Sequence, residues 1–176
     1  MKTAAIIIGH STTDPGAVNP NSGHTEYNYN LTLATLIADE LMRGQTVLPY
    51  IVHRDTYKAL PEKVNATGAD IAIELHCNAF NGKASGTEML YWHSSKRGEL
   101  LARHLQEAAK LTLALPDRGI KPIDGKDRGG HLLKGTSMPC VIVESFFIDN
   151  DNDLRVGLDY QLPLAKAYAQ AIEEFF

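Results

Sequence analysis

The chain has 176 residues, 44% of them apolar and 22% charged, values of a soluble globular domain large enough to bury its own core. Its net charge of −4 is spread over interspersed acids and bases, so no basic block points to nucleic acid or an anionic membrane, and no apolar stretch approaches the roughly 20 residues of a membrane span. Cys77 and Cys140 make no disulfide framework and are expected as free, buried thiols of a chain made in a reducing compartment.

Apolar runs of strand length alternate with stretches of helical period, which predicts one α/β domain over residues 1–176 with a largely parallel sheet. "TAAIIIG" reads as the first strand. A helix follows from about Glu26 to Arg43, with Leu33, Leu36, Ile37, Glu40 and Leu41 on one stripe and Gly44 as the stop. "TVLPYIV" is the second strand, and Pro49 places it at an edge or an irregular position. A short helix near Ala59 to Thr67 ends at Gly68, "DIAIELHCN" is the third strand and "TEMLYW" the fourth. Ser94 or Ser95 caps a long helix in which Leu101, Leu105, Ala108, Leu111 and Leu115 share a face before Pro116. "HLLK" and "PCVIVESFF" are read as two further strands around the turn "GTSMP". The closing helix, about Leu162 to Phe176, buries Ala165, Ala169, Ile172 and Phe176. Two long polar loops, residues 11–25 and 116–131, are expected to flank one cleft.

Three of the strands end in a side chain that a core does not need: His10 after "AAIIIG", His76 after "IAIEL" and Glu144 after "CVIV". In a parallel sheet the C-terminal strand ends face one side, where ligands and catalytic groups gather. Glu26 opens the first long helix, and a helix N-terminus favours its ionised form. His10, Glu26 and His76 therefore supply the two imidazoles and one carboxylate of a hydrolytic Zn2+ site, with a fourth position open for water. Glu144 is the expected base for that water, since a carboxyl after Val-Ile-Val is costly to bury without a task. His24 is the substitute ligand, His104 is expected to be structural or solvated, and Arg54 and Asp55 are expected to pair with each other.

The order "GH", "DPGA", "GHTE", "HRD", "ADIAIELHCNA", "SGTEMLYW", "DRG" and "MPCVIVESFFIDNDND" resembles the zinc-dependent N-acetylmuramoyl-L-alanine amidases of the amidase_3 type, over nearly the whole chain. Its most specific parts are "LHCNA" and the C-terminal Pro-x-x-x-x-Glu followed by Phe-Ile-x-Asn. The resemblance implies zinc ligands at His10, Glu26 and His76, a catalytic glutamate at Glu144, and a three-layer α/β/α sandwich with a mixed, mostly parallel sheet. It implies cleavage of peptidoglycan at the amide between N-acetylmuramic acid and L-alanine of the stem peptide, while the charge pattern gives no expectation of a nucleic-acid partner. The sequence departs from the family at "IIGHSTT", which lacks the usual acid and paired glycines. It departs again at Leu133-Lys134, where Leu-Arg is usual, and at Asn65-Ala66, which inverts an Ala-Asn.

The apolar run of "MKTAAIIIGH" is too short for a signal peptide. With the resemblance, this suggests a monomeric phage endolysin made in the cytoplasm and released to the wall by a holin. The competing readings are another zinc hydrolase, such as a carboxypeptidase, and a metal-free peptidoglycan-binding module.

Overall fold

β1 (Lys2–Ile8) exposes no side-chain surface from Ala4 to Ile8. A strand apolar on both faces needs helices above and below it, and full burial of each isoleucine contributes about 1.5–3 kcal/mol. The computed structural model describes all 176 residues and shows how that cover is built. Six strands form one sheet: β1, β2 (Val47–His53), β3 (Ile71–Asn78), β4 (Thr87–Trp92), β5 (Asp117–Ile123) and β6 (Cys140–Phe147), in the order β2-β1-β3-β6-β4-β5. β2, β1, β3 and β6 are mutually parallel, whereas β4 runs antiparallel to β6 and carries β5 parallel to itself.

Period-two alternation sends the strand residues to two unequal layers. Ile6, Ile8, Ile73, Leu75, Val141 and Val143 face α1 (Glu26–Gly44), α3 (Lys96–Leu113) and α6 (Gln161–Phe175) in a core of 33 residues. Ala5, Ile7, Ala72, Cys140 and Ile142 face α2 (Leu60–Asn65) and α4 (Gly130–Gly135) in a core of only 12. The expected three-layer α/β/α sandwich is therefore present. Two six-residue helices are too short to cover a six-stranded sheet, so the C-terminal strand halves on that side floor an open cleft.

Several elements differ from the sequence reading. "HLLK" is not a strand but most of α4. Leu132 and Leu133 are adjacent and both buried, which one strand face cannot satisfy but a helical turn can. Gly129, at φ 89°, turns the chain into that helix. β5 lies inside the expected loop 116–131; "DRGIKPI" hides its strand character because it is an exposed edge, where Pro122 is tolerated. α5 (Asp151–Asp159) is also additional, capped by Asn150, whose side chain accepts hydrogen bonds from the Asn152 and Asp153 amides. On α3 the buried stripe is Leu101, Leu105, Ala109 and Leu113, and Leu111 is 73% exposed. The helix also stops before Leu115, and Phe176 lies beyond α6, partly in solvent. Pro49 does mark an edge, since β2 ends the sheet, and both cysteines are free and buried.

Candidate functional site

His10 lies two residues beyond the end of β1, at φ 68°. A left-handed histidine is a strained position, of the kind found where a ring must be aimed. The turn is possible because Gly9 precedes it: a Cβ there would lie 2.3 Å from the Leu75 carbonyl and 2.7 Å from His76 Cε1. Glu26 is the first residue of α1, whose cap is Thr25, with Oγ1 accepting from the Asn28 amide. His76 lies in β3, paired across the sheet with Glu144 in β6. His10, His76 and Glu144 do come to one cleft, although β3 runs on to Asn78 and β6 to Phe147 rather than ending at them, and the N-terminus of α1 closes the group from the side.

Glu26 is 2% exposed and both its oxygens are held from two directions. Oε1 accepts from the Cys77 amide at 3.0 Å and lies 2.6 Å from His76 Nδ1. Oε2 accepts from the Ala17 amide at 2.9 Å and lies 3.2 Å from His10 Nε2. Gly16, at φ 73°, passes so close that a Cβ would sit 2.6 Å from both Glu26 Oε2 and His10 Cδ2. Burial pushes the Glu26 carboxyl up, but the His10 and His76 rings outweigh it and hold Glu26 well below the usual carboxylate range. It is therefore ionised at neutral pH, as a metal ligand must be.

The donor atoms of His10, Glu26 and His76 all lie within 4.8 Å of one another. His10 Nε2 is buried and has no hydrogen-bond partner in the chain. An orphaned ring nitrogen facing a carboxylate and a second imidazole fits a dication of the Zn2+ type, for which two His and one carboxylate are an ordinary catalytic ligand set. His10 is steadied at its other nitrogen, which lies 3.3 Å from Asp14 Oδ2 and 3.3 Å from Arg54 Nη2. Arg54 also pairs with Asp14 itself. This corrects the expected Arg54–Asp55 pair, because Asp55 turns away to Lys63 at 2.8 Å. It also shows how the ring is held where "STT" replaces the usual acid and glycines: the acid comes from Asp14, four residues on.

The cleft has a volume of about 640 Å³. Its floor carries Glu74, His76, Ile142 and Glu144, with Glu88 further along the sheet. The Glu144 side chain is half-buried, and its Oε2 is shielded from solvent with no partner in the chain. Burial pushes its carboxyl up, His76 and Arg128 oppose this, and the Glu26 and Glu88 carboxylates add to it, giving a pKa of about 7. Glu88 is held by Asn78 Nδ2 at 2.7 Å and Arg118 Nε at 3.0 Å. Burial disfavours a charged His76 ring, but Glu74, Glu26 and Glu144 outweigh it and raise its pKa well above the ordinary value.

Other expectations separate here. Loop 116–131 does flank the cleft, through residues 125–131 after β5, with Arg128 among them. Loop 11–25 does not line it, and contributes instead by holding Glu26 through Ala17. His24 lies away from the cleft with Ser22, so it is no substitute ligand. His104 packs edge-on to Phe175, a structural role. Lys134 is exposed on α4 and does not line the cleft; Arg128 is the cation beside Glu144. Asn65 joins α2 to the turn before β6, donating to the Gly135 carbonyl and accepting from Ser137. Glu74 was missed, although alternation along "ELH" puts it on the same strand face as His76.

A family model described as N-acetylmuramoyl-L-alanine amidase, Amidase_3, matches residues 5–174. The N-acetylmuramoyl-L-alanine amidase LytC of Bacillus subtilis (strain 168) is 30% identical over 159 residues, 86% of this chain and 30% of LytC. The chain thus spans less than a third of that relative. The structure of N-acetylmuramoyl-L-alanine amidase from Clostridium difficile 630 superposes with a TM-score of 0.89 at 23% identity, covering 99% of this chain and 96% of that one. The catalytic domain of the CD27L endolysin targeting Clostridia difficile does so with a TM-score of 0.83 at 27% identity, covering 98% and 97%. The family match runs from within β1 into α6 and takes in all three converging donors: the chain belongs to the Amidase_3 family and is an N-acetylmuramoyl-L-alanine amidase domain.

Proposed function

We propose that the domain hydrolyses peptidoglycan with a zinc ion held by His10, Glu26 and His76 and with Glu144 as general base. The observation that carries this is the convergence of the three donor residues, with His10 Nε2 orphaned, on a cleft floored by Glu144. Zinc, when bound, polarises the scissile carbonyl and lowers the pKa of water towards about 7. Glu144 Oε2 has no internal partner and takes a proton from the water that attacks the lactyl carbonyl carbon. The same oxygen then returns the proton to the amide nitrogen as the carbon–nitrogen bond breaks, releasing a stem that begins with L-alanine. A carboxyl with a pKa of about 7 suits both halves of that transfer at neutral pH.

The test is mass spectrometry of digested, purified peptidoglycan. Intact glycan with free stems starting at L-alanine is the expected product, and release of single C-terminal residues would show a carboxypeptidase instead. Excess chelator should abolish lysis and zinc restore it; undiminished activity in chelator overturns the metal reading.

We further propose that the domain serves as a phage lysis enzyme, a reading supported by its likeness to the CD27L catalytic domain. Lysis of producing cells only when a membrane pore is co-expressed supports this. Export from cells without any pore overturns it.

A further inference from the structure

Glu74 is 1% exposed, in the middle of a strand whose neighbours are Ile73 and Leu75, both fully buried. A carboxylate there is costly unless something compensates it. Its Oε1 has no partner in the chain, and the one polar side chain paired with it is His76, with Nε2 3.2 Å from Glu74 Oε2. His76 thus has a carboxylate at each nitrogen: Nδ1 is hydrogen-bonded to Glu26 Oε1 at 2.6 Å, and Nε2 lies 3.2 Å from Glu74 Oε2. The two residues lie two apart on one strand, so they project from the same face of the sheet and the contact follows from the backbone.

The geometry points to Glu74 as a positioning residue for the metal site: its carboxylate takes the Nε2–H of His76, fixes the ring tautomer and leaves Nδ1 as the metal-binding nitrogen. This rests on the zinc reading of His10, Glu26 and His76. A ligating imidazole that donates its second N–H to a carboxylate is both oriented and made more basic, and removing such a partner lowers metal affinity by about 10–100-fold. No other polar contact within the chain accounts for a buried acid at this position. Glu74 touches no reacting atom in this scheme and acts only through His76. His10 is steadied differently, by Asp14 and Arg54 near the surface, so the two imidazoles have independent supports.

The experiment titrates zinc into the native chain, Glu74→Gln and Glu74→Ala against a competing chromophoric chelator. In parallel, ¹⁵N–¹H correlation spectra record which His76 nitrogen carries the proton. The native zinc form should show a protonated, slowly exchanging Nε2. Glu74→Gln keeps an acceptor oxygen and its volume, and should bind zinc only a few-fold more weakly with the same tautomer. Glu74→Ala should lose about 10–100-fold in zinc affinity and the slow Nε2 proton. If Glu74→Ala does not fold, Glu74→Leu fills the site without an acceptor and is read by the same two measurements. A purely structural role would lower thermal stability but leave the affinity of the folded chain and the His76 signal unchanged, and that result overturns the assignment. A native chain that takes up no zinc overturns the metal reading with it, whereas equal affinities in native and variants overturn only Glu74.

Discussion

His76 and Glu144 are direct partners across the parallel β3–β6 pair, so the ring proposed to hold the metal and the carboxyl proposed to move the proton stand side by side on neighbouring strands. Their separation is set by sheet geometry rather than by loop conformation, which keeps both placed before substrate arrives. Glu144 has no bond to Glu26 or His10. Glu144→Gln should therefore retain bound zinc while lowering kcat/KM on peptidoglycan at least about a hundredfold, the scale of a positioned acid–base group. Metal analysis beside a turbidity assay checks this. Loss of zinc in that variant would make Glu144 a ligand instead.

Glu144 also makes stability depend on pH. Its carboxyl is raised from 4.5 in the unfolded chain to about 7 in the fold. Below pH 4.5 it is neutral in both states and its contribution is intact; as pH rises through about 7 the folded chain must ionise a shielded carboxyl, and the contribution is lost. Glu144→Gln removes that loss. In chelator-treated protein the variant should gain stability over the native chain between pH 4.5 and 8, by at most about 3 kcal/mol at 1.36 kcal/mol per pKa unit. Urea unfolding at both pH values measures it, and a pH-independent difference would contradict the raised pKa.

Gly16 separates backbone strain from damage to the site. A Cβ at Gly16 meets Glu26 Oε2 and His10 Cδ2 at 2.6 Å, whereas at Gly23, with φ 75°, it meets nothing within 4 Å. Both Gly16→Ala and Gly23→Ala should lose about 1–2 kcal/mol of stability from the left-handed backbone. Only Gly16→Ala should weaken zinc binding. Equal zinc affinities for the two variants would show that the Gly16 approach does not shape the site.

Asp153 holds the far rim of the molecule together. Fully buried, it accepts from Ser85 Oγ at 2.6 Å, from the Gly86 amide at 3.1 Å and from the Phe147 amide at 3.2 Å. Asp153→Ala leaves those buried donors without a partner, which should cost about 2–4 kcal/mol. For a chain of this length that lowers the melting temperature by roughly 5–15 °C. Calorimetry checks it, and a shift under 2 °C would show that water replaces the carboxylate at little cost.

What the sequence by itself determined was the set of strands apolar on both faces and the residues at their ends. "AAIIIGH", "IAIELH" and "CVIVE" read as strands buried on both faces, and their parallel pairing delivers His10, His76 and Glu144 to one side. Glu26 was legible because it opens a helix, whose N-terminus favours an ionised carboxylate. The missed elements were those whose residues do not carry the period of their structure: β5 is an exposed edge, and α4 is one turn with two adjacent leucines. Only the tertiary structure decided what surrounds each donor. The Asp14–Arg54 support of His10 joins the loop after β1 to the segment after β2, and the Glu26 carboxylate that faces both His10 and His76 reaches them from α1. Those contacts depend on side-chain direction across separate segments, which strand and helix periodicity does not encode.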